Sequence, residues 1–139
     1  MPLIRSAVGS DIDEICSFDH IAERSDERRD FIQRAVADGN CHIAIDEGIA
    51  GYAVLEYSFY QTGFVSMLYI HPNRRGQGIG TALMQHLEAV CRTEKLFTST
   101  NLSNLRMQSL LARLGYKLSG VIHDLDEGDP ELVYVKYLR

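Results

Sequence analysis

The chain has no tryptophan, and only three prolines and three cysteines occur among its 139 residues. The cysteines, Cys16, Cys41 and Cys91, are odd in number, widely spaced and in no CxxC pair, so neither a disulfide framework nor a zinc site is expected. Each lies in an apolar-patterned segment and reads as buried filler, and a reducing cytoplasm is the simplest compartment. A basic excess is missing too. Lys and Arg total 14 against 19 Asp and Glu, a net charge of −5, which argues against nucleic acid as a partner. Apolar runs stay strand-sized, as in residues 63–70, far short of the ~20 residues of a membrane span. The opening Met1-Pro2-Leu3-Ile4-Arg5 lacks the apolar stretch of a signal peptide. What is present, a 45% hydrophobic composition, suffices for one domain over residues 1–139.

The chain shows no repeat, low-complexity tract or linker. Residues 3–8 suit a short strand. Ser10 and Asp13 have capping-box spacing ahead of a helix with Ile12, Ile15 and Cys16 on one face. Ser25, followed by Asp26 and Glu27, opens a second helix whose inward stripe is Phe31, Ile32, Ala35 and Val36, ended by Gly39-Asn40. Strands are expected over 42–45 and 49–57 around Asp46-Glu47-Gly48, and over 64–71 after a turn at Gln61-Thr62-Gly63. The last of these is apolar on both faces, the pattern of a central strand covered from two sides.

From Gly78 to about Glu94, Ile79, Leu83, Leu87, Val90 and Cys91 recur at helical spacing. A strand over 96–100 follows, then a helix with Met107, Leu110, Leu111 and Leu114, closed by Gly115. Strands over 116–123 and 131–138 flank the acidic turn 124–130. The order is β-α-α-β-β-β-α-β-α-β-β, an α/β layer built on a mixed sheet.

The chemistry is concentrated between Leu68 and Thr81. An apolar strand ends at Pro72, two arginines follow, and Gly76, Gly78 and Gly80 open the long helix. Glycines let backbone N–H groups approach a ligand, a helix start favours an anion, and Arg75 adds a multi-donor cation. Together these describe a diphosphate cradle. It is not a P-loop, because Gly80 is followed by Thr81-Ala82 without lysine. Nor does GxGxxG fit: its last position is Thr81 counted from Gly76, and Leu83 counted from Gly78.

Arg75-Gly76-Gln77-Gly78-Ile79-Gly80, with Pro72 three residues earlier, resembles the R-x-x-G-x-G signature of the GNAT family of N-acetyltransferases. The likeness runs through nearly the whole chain. Ile4-Arg5 with Ala7 and Asp11 is similar to the family's first strand and helix, and Gly51-Tyr52-Ala53-Val54 to its third strand. Asn104 stands eleven residues before Gly115-Tyr116, as in the family's N-x-x-A-x-x-x-Y-x-x-x-G-F/Y motif.

The resemblance implies a mixed, mostly antiparallel central sheet flanked by helices, and acetyl-CoA as co-substrate. It implies that the backbone at Leu68, Tyr69 and Ile70 pairs with the pantetheine arm. The pyrophosphate would lie on the amides of Gly76, Gln77, Gly78, Ile79, Gly80 and Thr81 beside Arg75, with the Thr81 hydroxyl available to help. The strand at 96–101 would splay from strand 64–71 to admit the cofactor. Asn104 would reach the pantetheine; read from its residues alone, it is equally a helix-start cap beside Ser103. The acceptor would lie against the first two helices and their joining loop, residues 20–28, where His20, Glu23, Asp26 and Glu27 offer polar contacts, and against the last strands.

The family motif departs at two places: its alanine is Met107, and its proton-donating tyrosine is Leu111. Glu56, in an otherwise apolar strand, is the candidate general base, with an exposed strand carboxylate as the plainer alternative. Tyr69 and Tyr134 carry hydroxyls but read first as packing, and His71 reads as the solvent end of its strand. His42 and His123 have no recognisable partner. The acidic turn is either a solvated loop or a flank of the acceptor pocket that favours a cationic amine. The leading expectation is an N-acetyltransferase acting on a primary amine of a small molecule or protein. A non-catalytic acyl-CoA-binding module is the alternative that Leu111 motivates, and a domain holding another phosphorylated ligand is a third. A homodimer through the terminal strands is compatible with the pattern.

Overall fold

The computed structural model describes residues 2–139. Among them the elements follow as β1 (Leu3–Ser6), α1 (Ile12–Phe18), α2 (Asp26–Ala37), β2 (Cys41–Ile45), β3 (Ile49–Phe59), β4 (Thr62–Ile70), α3 (Ile79–Val90), β5 (Lys95–Asn101), α4 (Leu105–Arg113), β6 (Lys117–Ile122) and β7 (Glu131–Tyr137). Short 3-10 turns occur at Gly9–Asp11 and Pro72–Arg74. The strands make a seven-stranded sheet ordered β1-β2-β3-β4-β5-β7-β6. Strands β1 and β2, β2 and β3, β5 and β7, and β6 and β7 pair antiparallel, while β4 and β5 pair parallel. This is the expected helix-flanked, mostly antiparallel sheet. No helix among the described residues is long and apolar enough to cross a membrane.

Contacts divide the chain into two compact units, one reaching to Leu55 and including Met67–Ala89, the other formed by Glu56–Ser66 and Val90–Arg139. Two of the boundaries fall inside β3 and β4, so no linker composition marks them.

In the first unit, α1 and α2 bury Ile15, Phe18 and Ile32 against Ile43, Tyr52 and Val54 of the strands. The start of α1 differs from the expected Ser10–Asp13 box. Asp11 accepts from the Val8 N–H at 2.8 Å and from the two terminal guanidinium nitrogens of Arg5 at 2.8 and 3.1 Å, which ties β1 to the helix entry. Helix α2 begins as expected, the Ser25 hydroxyl accepting from the Arg28 N–H at 3.2 Å. It ends at Gly39 (φ 74°), where the Asn40 N–H donates to the Ala35 carbonyl. Gly51 marks a close approach, since a Cβ there would lie 3.0 Å from the Tyr69 carbonyl oxygen and 3.3 Å from Ile79 Cγ2. Strand β4 is not covered on both faces as its sequence suggests: Ser66 to Ile70 are all half-buried.

In the second unit, the turn between β3 and β4 is made by Tyr60 and Gln61, both at positive φ (51° and 60°), one step before the expected position. Gly63 therefore lies within β4, and its role is spatial. A Cβ there would meet Cys91 Sγ at 2.6 Å. Helix α4 closes as expected at Gly115 (φ 91°), with the Tyr116 N–H donating to the Leu111 carbonyl at 2.9 Å. The acidic turn is fastened, not simply solvated. Asp129 accepts from the hydroxyl and N–H of Ser103 at 2.6 and 3.0 Å, and Asp126 accepts from the Asn101 amide at 2.9 Å.

The cysteines are unpaired, with Cys41 and Cys91 buried and Cys16 half-buried. His42, which has no evident partner in the sequence, has one in the fold: its Nδ1 lies 3.2 Å from Nε2 of His86 on α3. Burial holds both imidazoles below the usual histidine range, and the charge of His86 adds to this for His42. The unfolded chain therefore takes up protons first. The stability tied to the neutral pair is present above the unfolded histidine pKa of about 6.5 and is lost as pH falls through and below it. The urea midpoint should thus fall between pH 7.5 and 5.5, and His42→Gln should flatten that fall. A midpoint that does not move over this range would contradict the buried-neutral pair.

Candidate functional site

The segment singled out in the sequence is held from behind by Arg74. Its side chain donates to the Asp46 carboxylate at 2.7 Å, to the Asp46 carbonyl, and to Gln77 Oε1 at 2.8 Å. Arg74 and the Gln77 side chain are thus a strut, and the contribution left to Gln77 is its backbone. The strand ends because Pro72 has no N–H to continue the ladder. His71 caps the following turn, its Nδ1 accepting from the Asn73 N–H at 3.1 Å, and its ring stacks on Phe18 at 4.9 Å.

Beyond the strut, Gly76 (φ 77°) and Gly78 (φ 82°) adopt backbone that other residues rarely take, and nothing lies within 4 Å of a Cβ at either. The Ala82 N–H donates to the Gly78 carbonyl at 3.0 Å. The amides of Ile79, Gly80 and Thr81 thus precede the first rung of α3, where a helix has no carbonyls to offer. Ile79 buries its side chain and Thr81 is half-buried. Arg75 is exposed, with its guanidinium 5.7 Å from the centre of the Tyr69 ring.

The start of α3 differs from the other helix starts. Helix α2 has the Ser25 cap plus Asp26 and Glu27 in its first turn, and α4 has Asn104. The first turn of α1 holds Asp13 and Glu14. The first turn of α3 has no acidic residue. Its orphan N–H groups, its dipole and Arg75 combine into a cradle for an anion with several acceptor oxygens. The half-buried backbone of Leu68, Tyr69 and Ile70 leads into it.

Two other singled-out residues belong to the second unit. Asn104 caps α4, its Oδ1 accepting from the Met107 N–H at 3.1 Å. Half-buried Glu56 accepts from the Ser58 hydroxyl at 2.6 Å. Leu111, at the motif's tyrosine position, is fully buried.

Sequence reading missed the polar centre of the first unit. Asp19, at the end of α1, is fully buried. Its Oδ1 accepts from the N–H groups of Ile21 and Ala22 at 3.0 and 3.2 Å, and its Oδ2 accepts from the Tyr52 hydroxyl at 2.6 Å. Burial and the Asp19 charge push the Tyr52 hydroxyl well above the usual tyrosine range. Tyr52 stacks on Tyr69 at 6.1 Å, and the Tyr69 hydroxyl accepts from the His20 N–H at 3.3 Å. The available signal was a carboxylate at the end of an amphipathic helix, just before a loop.

The Acetyltransferase (GNAT) family model matches residues 9–116. A GNAT-family acetyltransferase structure from Bacillus cereus ATCC 10987 is similar over 99% of this chain and 97% of its own, at 30% identity and a TM-score of 0.92. At fold level the chain is similar to a GNAT phosphinothricin acetyltransferase from Sinorhizobium meliloti, solved in complex with acetyl-CoA. That match has 19% identity, 98% and 88% coverage and a TM-score of 0.77. It is also similar to yncA from Salmonella typhimurium, solved with its cofactor acetyl-CoA, at 16% identity, 99% and 94% coverage and a TM-score of 0.77. No curated protein matches significantly in sequence. The chain belongs to the GNAT family, and it is an acetyltransferase.

The cap at Asn104 separates stability from binding. Asn104→Ala should lower unfolding stability by about 1 kcal/mol through loss of the cap. Asn104→Asp should keep most of it, because aspartate caps equally well. If the amide N–H also serves the cofactor, the Asp variant weakens acetyl-CoA binding at full stability. An unchanged dissociation constant confines Asn104 to the cap.

Proposed function

We propose that the chain transfers the acetyl group of acetyl-CoA to a primary amine of a small molecule or protein. The observation that carries this reading is the start of α3, where Ile79, Gly80 and Thr81 present amides ahead of the helix ladder beside exposed Arg75. These groups suit a pyrophosphate in number and sign, and the open space at Gly76 and Gly78 leaves room for it. Backbone polar groups of Leu68, Tyr69 and Ile70 would hold the pantetheine arm as an added strand.

The bound donor supplies a thioester, whose carbonyl carbon accepts the amine lone pair and then releases sulfur as a thiolate. The protein's share is to align amine and carbonyl, to stabilise the oxyanion with backbone N–H groups, and to receive the proton that the attacking nitrogen loses. Glu56 is the base in this reading, directly or through a water. Leu111 offers no proton, and none is required, since a thiol pKa of about 8.5 makes the thiolate a tolerable leaving group near neutrality.

Titration with acetyl-CoA should give binding in the micromolar range or tighter. Arg75→Ala and Gly78→Asp should each weaken it at least ~10-fold, the first by losing a charge-assisted contact and the second by straining positive-φ backbone and adding a like charge. A folded variant that binds as the wild type does would refute the cradle. The base is tested separately: Glu56→Gln should depress thiol release with an amine acceptor at neutral pH, and a wild-type pH–rate profile in that variant removes the assignment.

A further inference from the structure

Arg28 breaks a local rule. It occupies the third position of α2, where the positive end of the helix dipole disfavours a cation. Only 13% of its side chain is exposed, so it is not placed there for solvation. Its nearest carboxylate, Asp19, lies 3.6 Å from Nε, beyond hydrogen-bond length. The Asp19 oxygens are already engaged by two backbone N–H groups and the Tyr52 hydroxyl. Asp19 therefore balances and aims the guanidinium without occupying its donors.

What the donors do meet is a poor partner. Among the described residues, the hydrogen bond that Arg28 side-chain nitrogens make is from Nη1 to the Met67 sulfur, at 3.0 Å, and a thioether is a weak acceptor. Nor are Nε and Nη2, which make no hydrogen bond among the described residues, sealed in. The sealed side-chain polar atom without a partner, among the described residues, is the Ser66 hydroxyl. A planar fork that is reachable from solvent and lacks an oxygen acceptor is suited to a carboxylate. Its position fits the acceptor. Arg28 touches Met67 and lies 6.0 Å from the centre of the Tyr69 ring, two alternate residues on one face of β4, while Arg75 approaches the same ring.

We propose that Arg28 is the specificity residue for the acceptor, and that the acceptor is a small amine carrying a carboxylate, an amino-acid-like molecule. This rests on the acetyl-CoA-dependent reading above. The carboxylate takes two parallel N–H bonds from Arg28 in place of the thioether contact, which holds the amine against β4. Arg75 remains with the co-substrate.

The test is thiol release from acetyl-CoA with matched acceptors that differ by the carboxylate, such as glycine against methylamine, alanine against ethylamine, and 4-aminobutyrate against propylamine. Wild-type protein should favour the carboxylated member of at least one pair by 10-fold or more in kcat/KM. Arg28→Met should collapse that preference by about 10- to 100-fold, mostly through KM, the loss expected for charge-assisted hydrogen bonds. Acetyl-CoA affinity in the same variant should not change. Should Arg28→Met fail to fold beside the buried Asp19, Arg28→Lys keeps a cation there while losing the planar fork, and should still lose most of the preference. The inference is overturned if decarboxylated amines are equal or better acceptors in every pair, or if the preference survives in a folded Arg28 variant. Binding of acetyl-CoA with no turnover of any carboxylated acceptor overturns it too, and leaves co-substrate binding standing. Failure of wild-type protein to bind acetyl-CoA removes both readings.

Discussion

The Asp19 carboxylate is shut away from water, and the conformation of the α1–α2 connection follows from what it needs. Burying a carboxylate is costly unless each oxygen finds a donor and a cation lies nearby. Oδ1 draws the backbone of Ile21 and Ala22 around it, so the chain turns where α1 stops. Oδ2 takes the Tyr52 hydroxyl from β3, and the balancing charge is Arg28 at the start of α2. One charged group thus fixes the end of a helix, the start of the next and a ring on the sheet. That ring stacks on Tyr69, whose hydroxyl receives the His20 N–H, so the same constraint reaches β4.

The α3 start is the opposite case. At α2 and α4, an orphan N–H group is met by a side-chain acceptor, Ser25 and Asn104 respectively. A cap is worth roughly 1 kcal/mol, and its omission here is the kind of local inconsistency that function tends to explain. The loop is stiffened from outside instead, through Arg74, Asp46 and Gln77. In the proposed binding of an anion at α3, the donors are arranged beforehand, so little ordering cost opposes it.

Element order and most helix ends were legible because they depend on local chemistry: a serine before an acidic turn at 25–27, a glycine after a stripe at 115. Misreadings arose where a residue's role depends on something distant in sequence. Gly63 looked like a turn glycine and is a packing glycine, because Cys91 fills the space a Cβ would need. His42 looked solitary because its partner is on α3. The segment proposed as an anion cradle could be picked out because its parts are consecutive. Arg28 was not, since its meaning depends on Asp19 being saturated by Tyr52 and on Met67 being its poor acceptor, contacts set by tertiary packing.

Leu111 shows which half of the proton transfer the fold must supply. The position lies in the buried core of the second unit, and its leucine side chain has no proton to give. The consequence is asymmetric. A thiolate with a conjugate-acid pKa of about 8.5 departs readily, whereas an alkylamine near the lysine value of about 10.4 is neutral in only about one molecule in 10³ at pH 7. In the proposed transfer to an amine, the demanding step is removal of the amine proton. If the acceptor's carboxylate sits on Arg28, its charge and that of Asp19 balance the guanidinium, so Arg28 positions the amine and the group that receives the proton is a separate one.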